Sequence, residues 1–100
     1  MTREAIHPGE FLADELEEIG MTLTELARQI DVPPNRISQL IRGKRDLTAD
    51  TALRLGRFFG TGPELWMNLQ KTYELDKAKT ELGKKIQKIN PWKPQEEVRI

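Results

Sequence analysis

Two short apolar stripes, set close together, constrain this chain more than any other feature. Between residues 23 and 42, apolar side chains fall at Leu26, Ala27, Ile30, Val32, Ile37 and Leu40. Leu26, Ala27 and Ile30 share one face of a first helix; Ile37, Leu40 and Ile41 share one face of a second. Only about four residues separate the two runs, so the helices must cross sharply around a small residue, here Ala27. That spacing predicts a helix-turn-helix, a motif whose second helix lies in the major groove of DNA.

Formal net charge is zero, which taken alone argues against a nucleic-acid partner. The distribution of charge argues otherwise. Residues 1–20 hold one base, Arg3, against six acids, whereas residues 32–45 hold Arg36, Arg42, Lys44 and Arg45 and no acid. The basic cluster thus covers the second helix and the loop after it, where phosphates would lie. A solvated charged face is the alternative, and the coincidence with the helix pair favours DNA.

At 100 residues the chain makes one domain with one modest core. It has no cysteine, so disulfides and cysteine-ligated metals are excluded, and a reducing, cytoplasmic setting is expected. Neither the first residues nor any later segment is apolar enough for a signal peptide or a bilayer span.

Proline and glycine punctuate an all-α chain of five helices. Helix 1 should start near Pro8 and end at Gly20, with Phe11, Leu12, Leu16 and Ile19 buried, Glu10, Asp14, Glu17 and Glu18 in water, and Ile6 stapled to Phe11. Helix 2 opens on a capping box, Thr22 to Glu25, and runs to Ile30. Helix 3 spans about Pro34 to Arg42 and stops at Gly43. Helix 4 is capped by Thr48, buries Ala52, Leu55, Gly56 and Phe59, and ends at Gly60. Helix 5 starts at Pro63 and reaches the 80s. A domain over 1–89, with its helix-turn-helix core at about 22–45, precedes a proline-punctuated mobile tail, 90–100.

Residues 23–42 resemble the phage-repressor and Cro-like (XRE) class. Three further segments narrow the resemblance: His7-Pro-Gly-Glu-Phe-Leu, the run from Gly43 to Leu55, and Gly60-Thr-Gly-Pro-Glu-Leu-Trp-Met-Asn-Leu-Gln70. Together, over roughly residues 6–80, they resemble the HigA-type (VapI-like) antitoxins of bacterial toxin–antitoxin modules. The resemblance implies a five-helix, lambda-repressor-like domain and a homodimeric repressor of its own operator. It also implies a cognate HigB-type toxin, a small RelE-like ribonuclease acting on translated messenger RNA. The chain departs from the family pattern twice. Asp31 replaces the usual turn glycine, although Asp tolerates positive φ better than most residues. Pro33-Pro34 replaces the usual Ser or Thr at the start of helix 3 and removes two N–H groups that could meet a phosphate.

Asn35 and Gln39, four apart on helix 3, each offer a paired donor and acceptor that can match adenine, or another base in a less ideal geometry. Ser38 lies between them, and Arg36 can address guanine or the backbone; these four are the expected base contacts. Arg42, Lys44 and Arg45, then Thr22 and Thr24 at the positive end of helix 2, are the expected phosphate contacts. The alternative is a plain polar helix face. Arg28 reads as a surface charge. His7, the single histidine, reads as an N-cap rather than an acid–base catalyst, and no constellation supports catalysis, a metal, a cofactor or a small-molecule ligand.

Helix 5 carries two stripes. At about 100° per residue, Trp66, Leu69 and Tyr73 fall within about one 60° sector, and Leu75, Ala78, Leu82, Ile86 and Ile89 cluster roughly half a turn away. The first stripe is core. The second either builds a homodimer, with Leu75, Ala78, Leu82 and Ile86 at the interface, or folds back after a break near Glu74–Asp76 or Gly83. The acidic stretch from Glu10 to Glu18 is a candidate toxin surface, with a solvated helix face as the alternative. A free-standing regulator, and a protein-interaction module of the same shape without DNA binding, remain open readings.

Overall fold

The computed structural model describes residues 6–93, which form five α-helices and no strand. They are α1 (Pro8–Ile19), α2 (Leu23–Gln29), α3 (Pro34–Ile41), α4 (Ala49–Phe59) and α5 (Pro63–Leu82), followed by a 3-10 segment, Gly83–Lys88. Asn90–Lys93 are exposed and without regular structure, and the rest of the expected tail, 94–100, lies outside the described residues.

Local chemistry sets the boundaries. His7 caps α1 through Nδ1, which accepts the Gly9 N–H at 2.9 Å, as expected of a residue before Pro8. Thr22 Oγ1 accepts the Glu25 N–H at 3.1 Å and caps α2. Only that half of the expected capping box forms: the Glu25 carboxylate accepts from Arg28 at 3.1 Å instead. Thr48 caps α4, and Pro33 stands before α3 with no side-chain cap.

Three helix ends share one device. After α1, the Gly20 N–H donates to the Glu17 carbonyl and the Met21 N–H to that of Leu16. The same crossed pair closes α2 through Asp31 and Val32, and α3 through Gly43 and Lys44. This is the Schellman arrangement, which requires a left-handed residue after the helix. Asp31 takes that role at φ 61°, the one non-glycine positive φ among the described residues.

The core joins Leu12, Leu16, Leu26, Ala27, Ile30, Val32, Ile37, Leu40, Leu47, Ala52, Leu55 and Trp66. Ala27 is fully buried where α2 meets α3. Trp66 is held between Phe11 and Phe59, with ring centroids at 5.3 and 5.6 Å, and its indole N–H donates to Thr61 Oγ1 at 3.0 Å. Leu69 and Tyr73 are half-buried on the same face of α5.

Two close backbone approaches fix the helix crossings. A Cβ at Gly9 would stand 1.9 Å from the Leu40 carbonyl oxygen, so α1 lies directly on the C-terminal turn of α3. A Cβ at Gly56 would stand 2.3 Å from the Gly62 carbonyl carbon, so α4 lies on the start of α5. Neither neighbour is a side chain that could swing away.

Two expectations need correction. Ile19 is not core: it is half exposed, because the chain turns away at Gly20 before anything covers it. Ile6 is also half exposed, which is too open for a closed staple on Phe11. Helix α5 reaches the 80s as expected and ends at Leu82, where Gly83 (φ 55°, ψ −126°) diverts the chain into the 3-10 segment.

Candidate nucleic-acid interface

The outer face of α3 follows from its inner one. Ile37 and Leu40 are buried and Ile41 half-buried, which turns Asn35, Arg36, Ser38, Gln39 and Arg42 outward. Asn35 and Arg42 are exposed; Arg36, Ser38 and Gln39 are half-buried. The Schellman closure at Gly43 (φ 73°) turns the chain back, so that exposed Lys44 and Arg45 follow the helix without a flexible spacer. The basic cluster and the polar face are therefore contiguous. Thr22 and Thr24 are exposed at the N-terminal end of α2, with Thr22 Oγ1 engaged in capping.

Besides Thr22, three of the expected contact residues, Arg36, Gln39 and Arg45, are engaged within the chain. Arg36 Nη1 donates to Asp50 Oδ1 at 3.0 Å, and Arg45 donates from Nε and Nη2 to Gln39 Oε1 at 3.1 and 3.0 Å. Asn35, Ser38, Arg42 and Lys44 make no side-chain hydrogen bond among the described residues. Arg28, read as a surface charge, is exposed and pairs with Glu25 at 3.1 Å.

Sequence reasoning missed three residues that hold this surface in place. Asp50 bridges Arg36 and Arg54, at 3.0 and 2.7 Å. Arg54 Nη1 also donates to the carbonyls of Ile30 and Asp31, at 2.8 and 3.1 Å, tying α4 to the turn between α2 and α3. Gln70 is buried; its Oε1 accepts the Leu47 N–H at 2.8 Å and its Nε2 donates to Glu74 at 2.7 Å. It thereby anchors the end of the basic loop to α5. A signal for Gln70 did exist, since it lies i+4 from Trp66 and i−3 from Tyr73, on the buried face of α5. Asp50 and Arg54 gave none beyond an i, i+4 pair that could as well have been solvated.

The second stripe of α5 is open. Leu75, Leu82, Ile86 and Ile89 are 53, 43, 49 and 67 % exposed, and Ala78 is half-buried. The helix passes Glu74–Asp76 without a break, and the turn at Gly83 leaves Ile86 and Ile89 uncovered. On α1, Glu10, Asp14, Glu17 and Glu18 all face solvent.

A sharply crossed helix pair, its second helix presenting a polar face that continues into a basic loop, defines an XRE-type helix-turn-helix domain. The model of the helix-turn-helix family matches residues 12–66. Virulence-associated protein I of Dichelobacter nodosus is 47% identical over 75 residues, which cover 74% of this chain and 69% of that protein. An addiction module antidote protein of the HigA family from Coxiella burnetii superposes with a TM-score of 0.87 at 46% identity, covering 90% of this chain and all of that one. The Pseudomonas aeruginosa antitoxin HigA, solved with the higBA promoter, superposes with a TM-score of 0.84 at 41% identity, over 90% of this chain and all of that one. The chain belongs to the HigA-type antitoxins within the helix-turn-helix family, a group of DNA-binding antitoxins and transcription regulators rather than enzymes. Among the described residues no helix is long and apolar enough to cross a membrane.

The Arg54 guanidinium, with help from Arg36, holds the Asp50 carboxyl below its ordinary value of 3.8. A carboxyl depressed on folding contributes stability above its unfolded value, and that contribution is lost as the pH falls through the folded one. The melting temperatures of the wild type and Asp50→Asn should therefore differ most near neutrality and converge below about pH 3.8. A gap independent of pH would show that Asp50 acts without its charge.

Proposed function

We propose that this chain is the antitoxin and autorepressor of a toxin–antitoxin module, binding its operator as a homodimer and neutralising a HigB-type, RelE-like mRNA-cleaving toxin. One observation carries the DNA half of this reading. The polar face of α3 runs into a basic loop locked by the Schellman turn, in a chain 41% identical to an antitoxin solved with its promoter. Asn35, Ser38 and Gln39 are assigned to base edges, Arg36 to the edge of that set, and Arg42, Lys44, Arg45, Thr22 and Thr24 to phosphates. Replacing Lys44 with Ala should weaken all duplexes alike and reduce the slope of log affinity against log salt by roughly one per bound protomer. A slope that does not change would remove Lys44 from the phosphate contacts.

Pro33 and Pro34 favour a second reading, a protein-interaction module that keeps the shape without the DNA. Prolines at the start of α3 leave fewer N–H groups to meet a phosphate. Absence of any salt-dependent binding to the DNA upstream of its own gene would select this reading.

The homodimer is assigned to the second stripe of α5. Leu75 and Leu82 on α5 and Ile86 beyond it are apolar and exposed among the described residues, with Ala78 half-buried between them, and two half-sites need two recognition helices. The double variant Leu75→Glu, Leu82→Glu should sediment as a folded monomer and bind operator DNA much more weakly. If it stays dimeric, the interface lies elsewhere.

The toxin is assigned to the exposed acids of α1, which leave α3 free to hold DNA at the same time. A ribonuclease that grips RNA is expected to be basic, so opposite charges would steer the encounter. Reversing Glu17 and Glu18 to Lys should slow association with the toxin by roughly tenfold at low salt. Association at the wild-type rate would clear this face of the role.

A further inference from the structure

Gln39 and Arg45 together carry information that neither carries alone. Arg45 Nε and Nη2 both donate to Gln39 Oε1, at 3.1 and 3.0 Å. Arg has five N–H donors and no acceptor, so the amide atom facing it is the oxygen, which accepts from both N–H groups. Backbone geometry supports the pairing. The Lys44 N–H donates to the Gln39 carbonyl at 2.9 Å and the Gly43 N–H to that of Leu40 at 3.0 Å, so Arg45 starts one residue beyond an anchored peptide.

What remains free on this pair is of one kind only. Gln39 keeps its two amide N–H groups, and Arg45 keeps the N–H groups of Nη1 and one on Nη2. The surface offered to a base is all donor. In the major groove guanine presents two acceptors, N7 and O6, while adenine sets its N6 donor beside N7. A glutamine free at both ends matches adenine, because its oxygen accepts from N6. With that oxygen committed to Arg45, the match to adenine is lost and the match to guanine remains. Arg36 is engaged with Asp50, and Asn35, which has no side-chain partner among the described residues, keeps both donor and acceptor.

We propose that Arg45 is a positioning residue that makes Gln39 a donor-only reader, so that the pair selects guanine over adenine at one position of each half-site. This rests on the operator-binding reading above. Duplexes selected from a random library by the wild-type chain, then titrated singly, test it. The wild type should lose roughly 5- to 150-fold in affinity when that guanine becomes adenine. Gln39→Ala should abolish the preference at the same position. Arg45→Met should shift it toward adenine, because the freed oxygen can accept from N6. Arg45→Lys, which keeps the charge but lacks the planar fork, should reduce the guanine preference without lowering the salt slope.

If Arg45→Met weakens every duplex alike and leaves the guanine preference intact, Arg45 is a phosphate contact only and the proposal fails. It fails equally if the position that depends on Gln39 prefers adenine in the wild type. Selection of no sequence at all by the wild type would overturn the operator reading itself, and with it this assignment.

Discussion

The relation of α2 to α3 depends on one residue held at positive φ. At φ 61°, Asp31 places its own N–H on the Arg28 carbonyl and that of Val32 on the Ala27 carbonyl, closing α2 and redirecting the chain. An L-residue there costs roughly 1 kcal/mol or more relative to glycine. Arg54 offsets part of this, donating across from α4 to the carbonyls of Ile30 and Asp31. Such charge-assisted bonds contribute on the order of 1 kcal/mol each when partly exposed. Val32 then drops into the core, and the crossing of the helices follows from the turn rather than from helix packing alone.

Once redirected, α3 is held from three sides. From α1, Gly9 lies against the Leu40 carbonyl, so the first turn of α1 sets the depth of the end of α3. From α4, Asp50 holds Arg36, and from α5, Gln70 holds Leu47 at the far end of the basic loop. The first brace acts on the C-terminal turn of α3, the second on its first turn and the third on the end of the loop beyond it. Asn35, Ser38 and Arg42 take no part in any of them, and the outer face is left to a partner while the rest of the helix is fixed.

Most of the architecture was legible because periodicity and punctuation are local. The apolar stripes of α2 and α3, the caps at His7, Thr22 and Thr48, and the turn at Asp31 each follow from residues within one or two helical turns. Ile19 misled because periodicity reports which face a residue shares, not whether a neighbour arrives to cover it. The brace residues escaped for a related reason. Asp50, Arg54 and Gln70 are identified by partners 14 to 24 residues away; the local pattern marks Gln70 as facing the core but does not say what it bonds, and for Asp50 and Arg54 it offers only an i, i+4 pair. The link from Arg45 to Gln39 spans only six residues, yet it depends on how the Gly43 turn aims the loop, which composition does not encode.

A chain of zero net charge that reads DNA must obtain its attraction locally. The basic residues of 32–45 are concentrated beside the polar face of α3, and the acids of α1 occupy a separate exposed helix face. At physiological ionic strength, charges more than about 8 Å apart at the surface are largely screened from one another. The acids therefore reduce long-range attraction to arbitrary duplex without cancelling short-range contacts to phosphates. Non-specific binding draws almost wholly on the electrostatic part, whereas base reading adds short-range hydrogen bonds that screening scarcely affects. Neutrality of the whole chain thus lowers binding to correct and random sites alike and leaves their ratio to the base contacts. A strongly basic chain with the same α3 would bind both more tightly and gain little in their ratio.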